Sequence, residues 1–298
     1  MQTAKRVIIL VMFFHILALW GCARPGLYSR HMRIRIEGME RGFAPGTIVR
    51  TKDCQAITFE ELLEDLKTVQ IVYVGERHAN QAHHEIQLKL IQALFEIDPN
   101  LMVGMEMFDR SYQAHLDEWS SGSLDEKGFL RKVAWNKNWN FDIRLYRPII
   151  NFVRDKHIKL VALNVPHQII RKIVKVGLEG LSSKELNQVA KEIYLSDKAH
   201  INYVRKFFKY HTGRIKDFSL FYEAQCVWDD SMAETIVRFL GSSRMVVLAG
   251  RGHVDHKFGI PDRVSRRLSL PYRTIIPVDE GETVLQSQAD YIWTTRRL

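Results

Sequence analysis

The sequence predicts an α/β fold, a mainly parallel sheet flanked by helices with an inserted all-helical subdomain. Three observations carry that expectation. Apolar runs at 70–75, 101–108, 159–165, 244–249 and 272–278 are near-continuous rather than alternating, as in strands buried on both faces. Amphipathic segments lie between them, and strand and helix in alternation build a parallel sheet with right-handed crossovers. The stretch from about 167 to 240 offers no strand pattern, and a connection of that length is an insert.

In chain order, residues 1–22 read as a lipoprotein-type signal peptide. Lys5 and Arg6 form a positive head, and an apolar run from 7 to 20 is broken only by His15. That run is short for a transmembrane helix and of secretory length. Leu19 and Gly21 precede Cys22 as in a bacterial lipobox, with Trp20 departing from the usual small residue. Lipidation is therefore expected at Cys22, which would anchor the chain to a membrane without spanning it. Ala23 is not the aspartate that retains such proteins at an inner membrane. The expected address is thus exported, at the outer membrane and facing the periplasm.

Residues 23–56 read as a tether and irregular segment, with 32–36 alternating like a short edge strand. The α/β domain is expected over 57–298. A helix over 84–95 repeats Ile86, Leu90, Ile91 and Leu94 at helical spacing. Within the insert, helices are expected over 169–180, 184–195, 198–211 and 217–240.

A chain of 298 residues, 46% hydrophobic and 26% charged, can bury a sizeable core. Its net charge of +9 is spread among acidic residues, with no zinc finger, basic zipper or RNP-like strand. Nucleic acid is therefore not an expected partner, whereas anionic lipid or ligand fits such a charge. With Cys22 set aside, Cys54 and Cys226 do not make a disulfide framework, and whether they are bonded is open.

The functional signal lies where the strands end. One runs into Glu76 and His78, a second into Glu106, a third into Asn164 and His167, and a fourth into Gly250-Arg251-Gly252-His253. The carboxyl edge of an open α/β sheet is where ligands bind. Glu76 and His78, two apart, share a face in extended backbone; they could be a metal pair, an acid/base pair or a salt-bridged strand end. Glu106 stands among Met105, Met107 and Phe108, a costly place for a lone carboxylate. Asn80 can cap a helix opened by His83 and His84, one of which is expected to line the site. The two glycines permit a tight turn before His253.

Rossmann, Walker, HExxH and G-x-S-x-G patterns are absent. On the last helix of the insert, Gln225, Trp228, Asp229 and Met232 share a face, which either packs into the core or closes over the site. Tyr194, Tyr203, Phe207, Phe208, Tyr210, Phe218, Phe221 and Tyr222 crowd the insert. Most must be core, but a few could wall a flat cofactor.

Five ordered motifs then carry a resemblance. Val74-Gly75-Glu76-x-His78 is followed by His83-His84 and Gln87, then Gly104-Met105-Glu106-Met107-Phe108 and Leu163-Asn164-Val165-Pro166. Gln225-x-x-Trp228-Asp229-x-x-Met232-Ala233 and Ala249-Gly250-x-Gly252-His253 complete the set. Over about 57–278 the chain resembles the ChaN family, iron-regulated haem-binding lipoproteins of the Tiki/TraB/erythromycin-esterase-like superfamily. The resemblance implies an α/β fold with a helical subdomain, haem binding and a lipid anchor. It does not identify the iron ligand.

The resemblance favours a cell-envelope haem- or iron-binding lipoprotein acting in uptake. His83, His84, Asn164, Tyr210, His211, Tyr222, Trp228 and Asp229 are its candidate cofactor contacts, and Arg171, Lys172, Lys175, Arg205 and Lys209 could pair with propionates. The alternative is a metal-dependent hydrolase or protease of the Tiki or erythromycin-esterase type. There Glu76, His78, Glu106 and His253 would hold zinc, manganese or iron, or share ligand and general-base roles around a water. A structural protein with a vestigial site is a third, blander possibility. Catalysis is left open. The expected partners are haem or another small molecule, the membrane through the anchor and an unidentified uptake receptor, with a homodimer as one open assembly state.

Overall fold

The computed structural model describes residues 34–37, 42–209 and 215–297. Cys22 and the leader, and Tyr210 and His211, lie outside the described residues. In chain order the elements are β1 (Arg35–Ile36), β2 (Ile48–Arg50), β3 (Gln55–Ile57), α1 (Phe59–Leu66), β4 (Ile71–Glu76), α2 (Gln81–Ile97) and β5 (Met102–Asp109). Next come α3 (Gln113–Ser120), α4 (Glu126–Lys132), α5 (Trp135–Asn138), α6 (Ile143–Asp155) and β6 (Lys159–Asn164). The long connection holds α7 (His167–Val176), α8 (Ser183–Leu186), α9 (Lys198–Phe208) and α10 (Phe218–Leu240). The chain closes with β7 (Met245–Gly250), α11 (Arg251–Val254), α12 (Ile260–Arg267), β8 (Tyr272–Asp279), β9 (Thr283–Val284) and β10 (Tyr291–Thr295).

Among the described residues the main sheet has eight strands, in the order β3-β2-β10-β8-β4-β7-β5-β6. From β10 to β6 every pairing is parallel, and β2 and β3 add an antiparallel edge. The mainly parallel α/β sheet expected from the five apolar runs is therefore present. β4 and β7 lie side by side in register, Gly75 opposite Ala249 and Glu76 opposite Gly250. That register brings the two glycine-bearing strand ends together.

The sheet separates two cores. On one face Val72, Val74, Val103 and Met105 pack with α1, α2, α3 and α6, around Trp119, Phe129, Trp135 and Tyr146. On the other, Tyr73, Val161, Leu163 and Val247 pack with Met232, Ala233 and Ile236 of α10 and with Ile260 and Val264 of α12. Alternate residues of each strand serve opposite cores, which is why the runs read as continuous. The outer edge of β6 is masked by a side chain. The Gln113 amide donates to Leu160 O at 2.8 Å and accepts from Ala162 N at 2.9 Å, occupying groups that an edge strand leaves unpaired.

Three expectations need correction. The segment read as irregular contributes β2, whose buried Ile48 and Val49 pair with Trp293 and Ile292 of the unforeseen strand β10. β2, of three residues, is too short to show a period, and β10 is buried at all five of its positions, so it shows no alternation. Of the strand expected over 32–36, Arg35–Ile36 pairs with β9, and 32–33 lie outside the described residues. The helix expected over 184–195 is confined to α8. Beyond it, the main-chain N–H groups of Ala190, Lys191 and Tyr194 donate to Ser231 Oγ, Glu234 Oε2 and Asp230 Oδ2 of α10, each at 2.9 Å. Side chains of α10 thus satisfy donors that a helix would have paired internally. Cys54 and Cys226 are both free thiols. No helix of the described residues is long and apolar enough to cross a membrane.

Candidate functional site

The carboxyl ends of β4, β5, β6 and β7 meet at one cavity of about 300 Å³. His78, Glu106, Asn164 and His253 line it, and the half-buried Trp139, Phe141 and Trp228 supply its aromatic wall. Gly250 has a steric reason to be glycine: a Cβ there would stand 2.8 Å from Cε1 and 3.0 Å from Nε2 of His78. The bare backbone leaves room for the imidazole at the strand end.

Two carboxylate–imidazole pairs occupy this edge. In the first, Glu76 is buried, and its Oε1 accepts from His78 Nδ1 at 2.8 Å and from the Tyr146 hydroxyl at 2.6 Å. Its Oε2 accepts from Gln87 Nε2 at 2.8 Å. The bond to Glu76 fixes the proton of His78 on Nδ1 and leaves Nε2 without a protein hydrogen bond among the described residues. Burial acts to lower the His78 pKa, but the bond to Glu76 and the charge of Glu106 raise it above the ordinary value. The His78 side chain keeps 28% exposure, so it can exchange protons or meet a ligand.

In the second pair, Glu106 Oε2 accepts from the main-chain N–H of Gly250 at 2.6 Å, and its Oε1 lies 3.5 Å from His253 Nε2. His253 Nδ1 donates to Asp229 Oδ1 at 2.6 Å. Burial opposes the charge on His253, yet Glu106 and Asp229 outweigh it and push the pKa up to about 10. Burial likewise raises the Glu106 pKa, and His253, His78 and Gly250 N–H pull it down to about 2. The group is a carboxylate–imidazolium–carboxylate sandwich. Asp229 Oδ2 lies 3.4 Å from His200 Nε2, with the fully buried Arg263 behind at 4.0 Å. Gly259 packs on this unit so closely that a Cβ would stand 2.3 Å from His253 O.

A family profile described as haem-binding uptake, Tiki superfamily, ChaN matches residues 62–264, which hold every element of both pairs. The chain belongs to the ChaN family. A solved structure of cofacial haem binding to ChaN of Campylobacter jejuni is 21% identical, with a TM-score of 0.67, and the match covers 83% of this chain and 95% of that one. That likeness establishes the shared fold. A mutant of the erythromycin esterase EreC in its open conformation is 12% identical with a TM-score of 0.47, covering 79% of this chain and 76% of that one. Protein RETICULATA-RELATED 5 of Arabidopsis thaliana, a chloroplastic protein, is 24% identical over 77% of this chain. This chain spans 34% of the length of that relative.

The structure sorts the residues singled out in this ChaN-family sequence. Glu76, His78, Glu106 and His253 come to one edge, with Asn164, Trp228 and Asp229 around them; Asn164 Nδ2 donates to Glu106 O at 3.0 Å. His84 is buried behind the site, its Nε2 donating to His78 O at 3.1 Å. His83 points away: its Nδ1 accepts from Arg77 N at 2.9 Å and its Nε2 faces Asp279 at 3.2 Å. Burial lowers its pKa to about 4, and it does not line the cavity.

Tyr222 is also off the cavity, 3.2 Å from His200 Nδ1 between α9 and α10. Among the described residues no group of three or more His, Cys, Asp or Glu side chains is arranged to hold a metal ion. The expected four-ligand set is split, because Glu76 turns to Tyr146 and Gln87 while Glu106 turns to His253. Of the cations proposed for propionates, Lys172 pairs with Glu185 at 2.6 Å and Arg205 lies over Phe218 at 3.9 Å.

Sequence reasoning missed Tyr146, His200, Arg263 and the loop after α5. Trp135-Asn136-Lys137-Asn138-Trp139-Asn140-Phe141 alternates aromatic and amide side chains in a polar stretch. That density was a usable signal for a cavity wall.

Proposed function

We propose that this chain binds haem at the cell envelope as an exported lipoprotein anchored through Cys22, in the service of haem or iron uptake. One observation carries the reading: in a chain of the haem-binding uptake family, His78 is held through Nδ1 by Glu76 and lines a cleft walled by Trp139, Phe141 and Trp228. The residues fit the group. His78 is packed edge-on against Trp139, with ring centroids 4.8 Å apart, and lies 4.9 Å from Phe141.

Haem supplies a flat apolar ring, an iron centre that accepts imidazole nitrogen, and two carboxylates. Glu76 orients the His78 ring through Nδ1, the outer-sphere contact that makes a ligating histidine more basic. Tyr146 and Gln87 hold Glu76 in turn. The aromatic side chains exclude water from the inner cleft. His253, fixed between Glu106 and Asp229, forms a rigid floor and carries Trp228 edge-on at 6.0 Å. Export and lipidation are supported by the leader pattern ending at Cys22.

The test is titration of the purified chain with ferric haem, followed through the Soret band. A saturable shift is expected for the wild type, with a displaced Soret maximum and weaker binding for His78→Ala. Absence of a saturable shift in the wild type would refute haem binding. An unchanged spectrum in His78→Ala would remove His78 from the iron.

A further inference from the structure

A separate hollow of about 390 Å³ lies behind the sheet-edge cleft, between α2 and α6. Leu88, Leu145 and Pro148 give it an apolar wall, and the buried His84 reaches it from the core side. Its rim is polar, with Gln81 and Glu85 on α2 and Asp142 and Arg144 at the start of α6.

The charges on the rim do not cancel. Asp142 and Arg144 satisfy each other: the carboxylate accepts from Arg144 N at 2.8 Å and from Nε at 2.7 Å, with Nη2 at 2.5 Å. Glu85 is exposed and has no cationic partner among the described residues; its Oε1 accepts from the Gln81 amide at 2.9 Å. Lys89, one turn further along α2, is turned away, with Nζ 4.2 Å from the centre of the Phe59 ring. One carboxylate is therefore left over at the mouth. α6 adds an acceptor. Pro148 sits inside this helix and has no N–H, so it cannot donate to the Arg144 carbonyl one turn earlier. Both residues border the hollow.

An apolar wall, a carboxylate without a counter-ion and a carbonyl without its helical donor suit one ligand chemistry, a cationic N–H donor on an apolar body. We propose that the hollow between α2 and α6 is a second ligand site, which takes an organic ammonium. Glu85 supplies the charge, the Arg144 carbonyl accepts a hydrogen bond, and the apolar body lies against Leu88, Leu145 and Pro148. The site touches the residues that hold the cleft. His84 donates from Nε2 to His78 O at 3.1 Å, and its ring lies 4.3 Å from that of Tyr146. Asp142 directly follows Phe141, which walls the cleft. Occupancy of the hollow therefore registers at His78, whether or not the cleft holds haem.

The experiment titrates the full chain, free of haem and at pH 7, with benzylamine and with benzyl alcohol, which share a ring and differ in charge. The imidazole resonances of His84 and His78 are followed by NMR. The amine is expected to shift both saturably and to bind on the order of five-fold more tightly than the alcohol, the size of an exposed ion pair. Glu85→Gln, at an exposed position, should bring that ratio towards one. Pro148→Ala returns a helical donor to the Arg144 carbonyl and should narrow it. No saturable shift at His84 with the amine, an equal affinity for the alcohol in the wild type, or a ratio that survives both substitutions would overturn the site. A shift at His84 with none at His78 would overturn its link to the cleft.

Discussion

The two carboxylate–imidazole pairs at the sheet edge look alike in sequence and differ in kind. Glu76 is held mainly by neutral donors, Tyr146 and Gln87, and its histidine stays partly open to the cleft. Glu106 is held by a buried imidazolium whose other nitrogen meets a second carboxylate, Asp229. The first arrangement leaves an imidazole that a ligand can use. The second neutralises charge with charge and has little freedom left. A binding site needs both, an adjustable contact and a support that does not move.

The largest expected effect follows from breaking the charged pair. Asp229 is fully buried and faces His253, His200 and Arg263. Asp229→Ala takes from His253 and Arg263 the carboxylate they share, and leaves each with a single carboxylate, Glu106 and Asp230. Removing one member of a buried ion network costs about 3–5 kcal/mol, and thermal unfolding should show a fall in Tm of roughly 10 °C. A variant within a degree or two of the wild type would mean that the network is not what holds α10 to the sheet.

Much of this was legible in the sequence, for physical reasons that vary by residue. Glu106 could be found because a carboxylate in an apolar strand has to be explained. His78 and His253 could be found because strand ends of a parallel sheet converge. The roles of His83 and His84 could not be read from adjacency. His83 accepts from a main-chain N–H and packs on β8, a contact set by topology. Tyr146 was invisible for the same reason, since its helix, α6, reaches Glu76 only across the folded core. Asp230 and Arg263 pair at 3.0 Å between α10 and α12, and nothing local in either helix announces the other.

Proton linkage offers the next test. His253 has its pKa raised from 6.5 to about 10, so its stabilising contribution is complete below pH 6.5 and is lost as the pH climbs towards 10. His83 and His200 are lowered by burial from 6.5 to about 4. Their contribution is complete above pH 6.5 and is lost as the pH falls towards 4. Glu106, lowered from 4.5 to about 2, adds a further loss below pH 4.5. Stability should therefore peak near pH 6.5 and decline on both sides. Urea midpoints measured from pH 4 to 10 should show this dome. His253→Gln should flatten the alkaline limb and leave the acid limb in place; a variant that keeps the alkaline limb would assign it to other groups.

The smallest effect should come from the pair held by neutral donors. Tyr146→Phe keeps the ring beside His84 and Trp135, at centroid distances of 4.3 and 5.4 Å, and removes only the hydroxyl that donates to Glu76 at 2.6 Å. One lost hydrogen bond to a buried carboxyl group costs about 1–2 kcal/mol. The more telling consequence is at His78. With one donor fewer, Glu76 Oε1 draws more strongly on the Nδ1 proton, so the His78 imidazolium is favoured and its titration, followed by NMR, should move to higher pH than in the wild type. Asp229→Ala, acting on the other pair, should leave that titration nearer its original position. Equal shifts in the two variants would mean that the pairs titrate as one unit, and the distinction between an adjustable imidazole and a fixed one would fail.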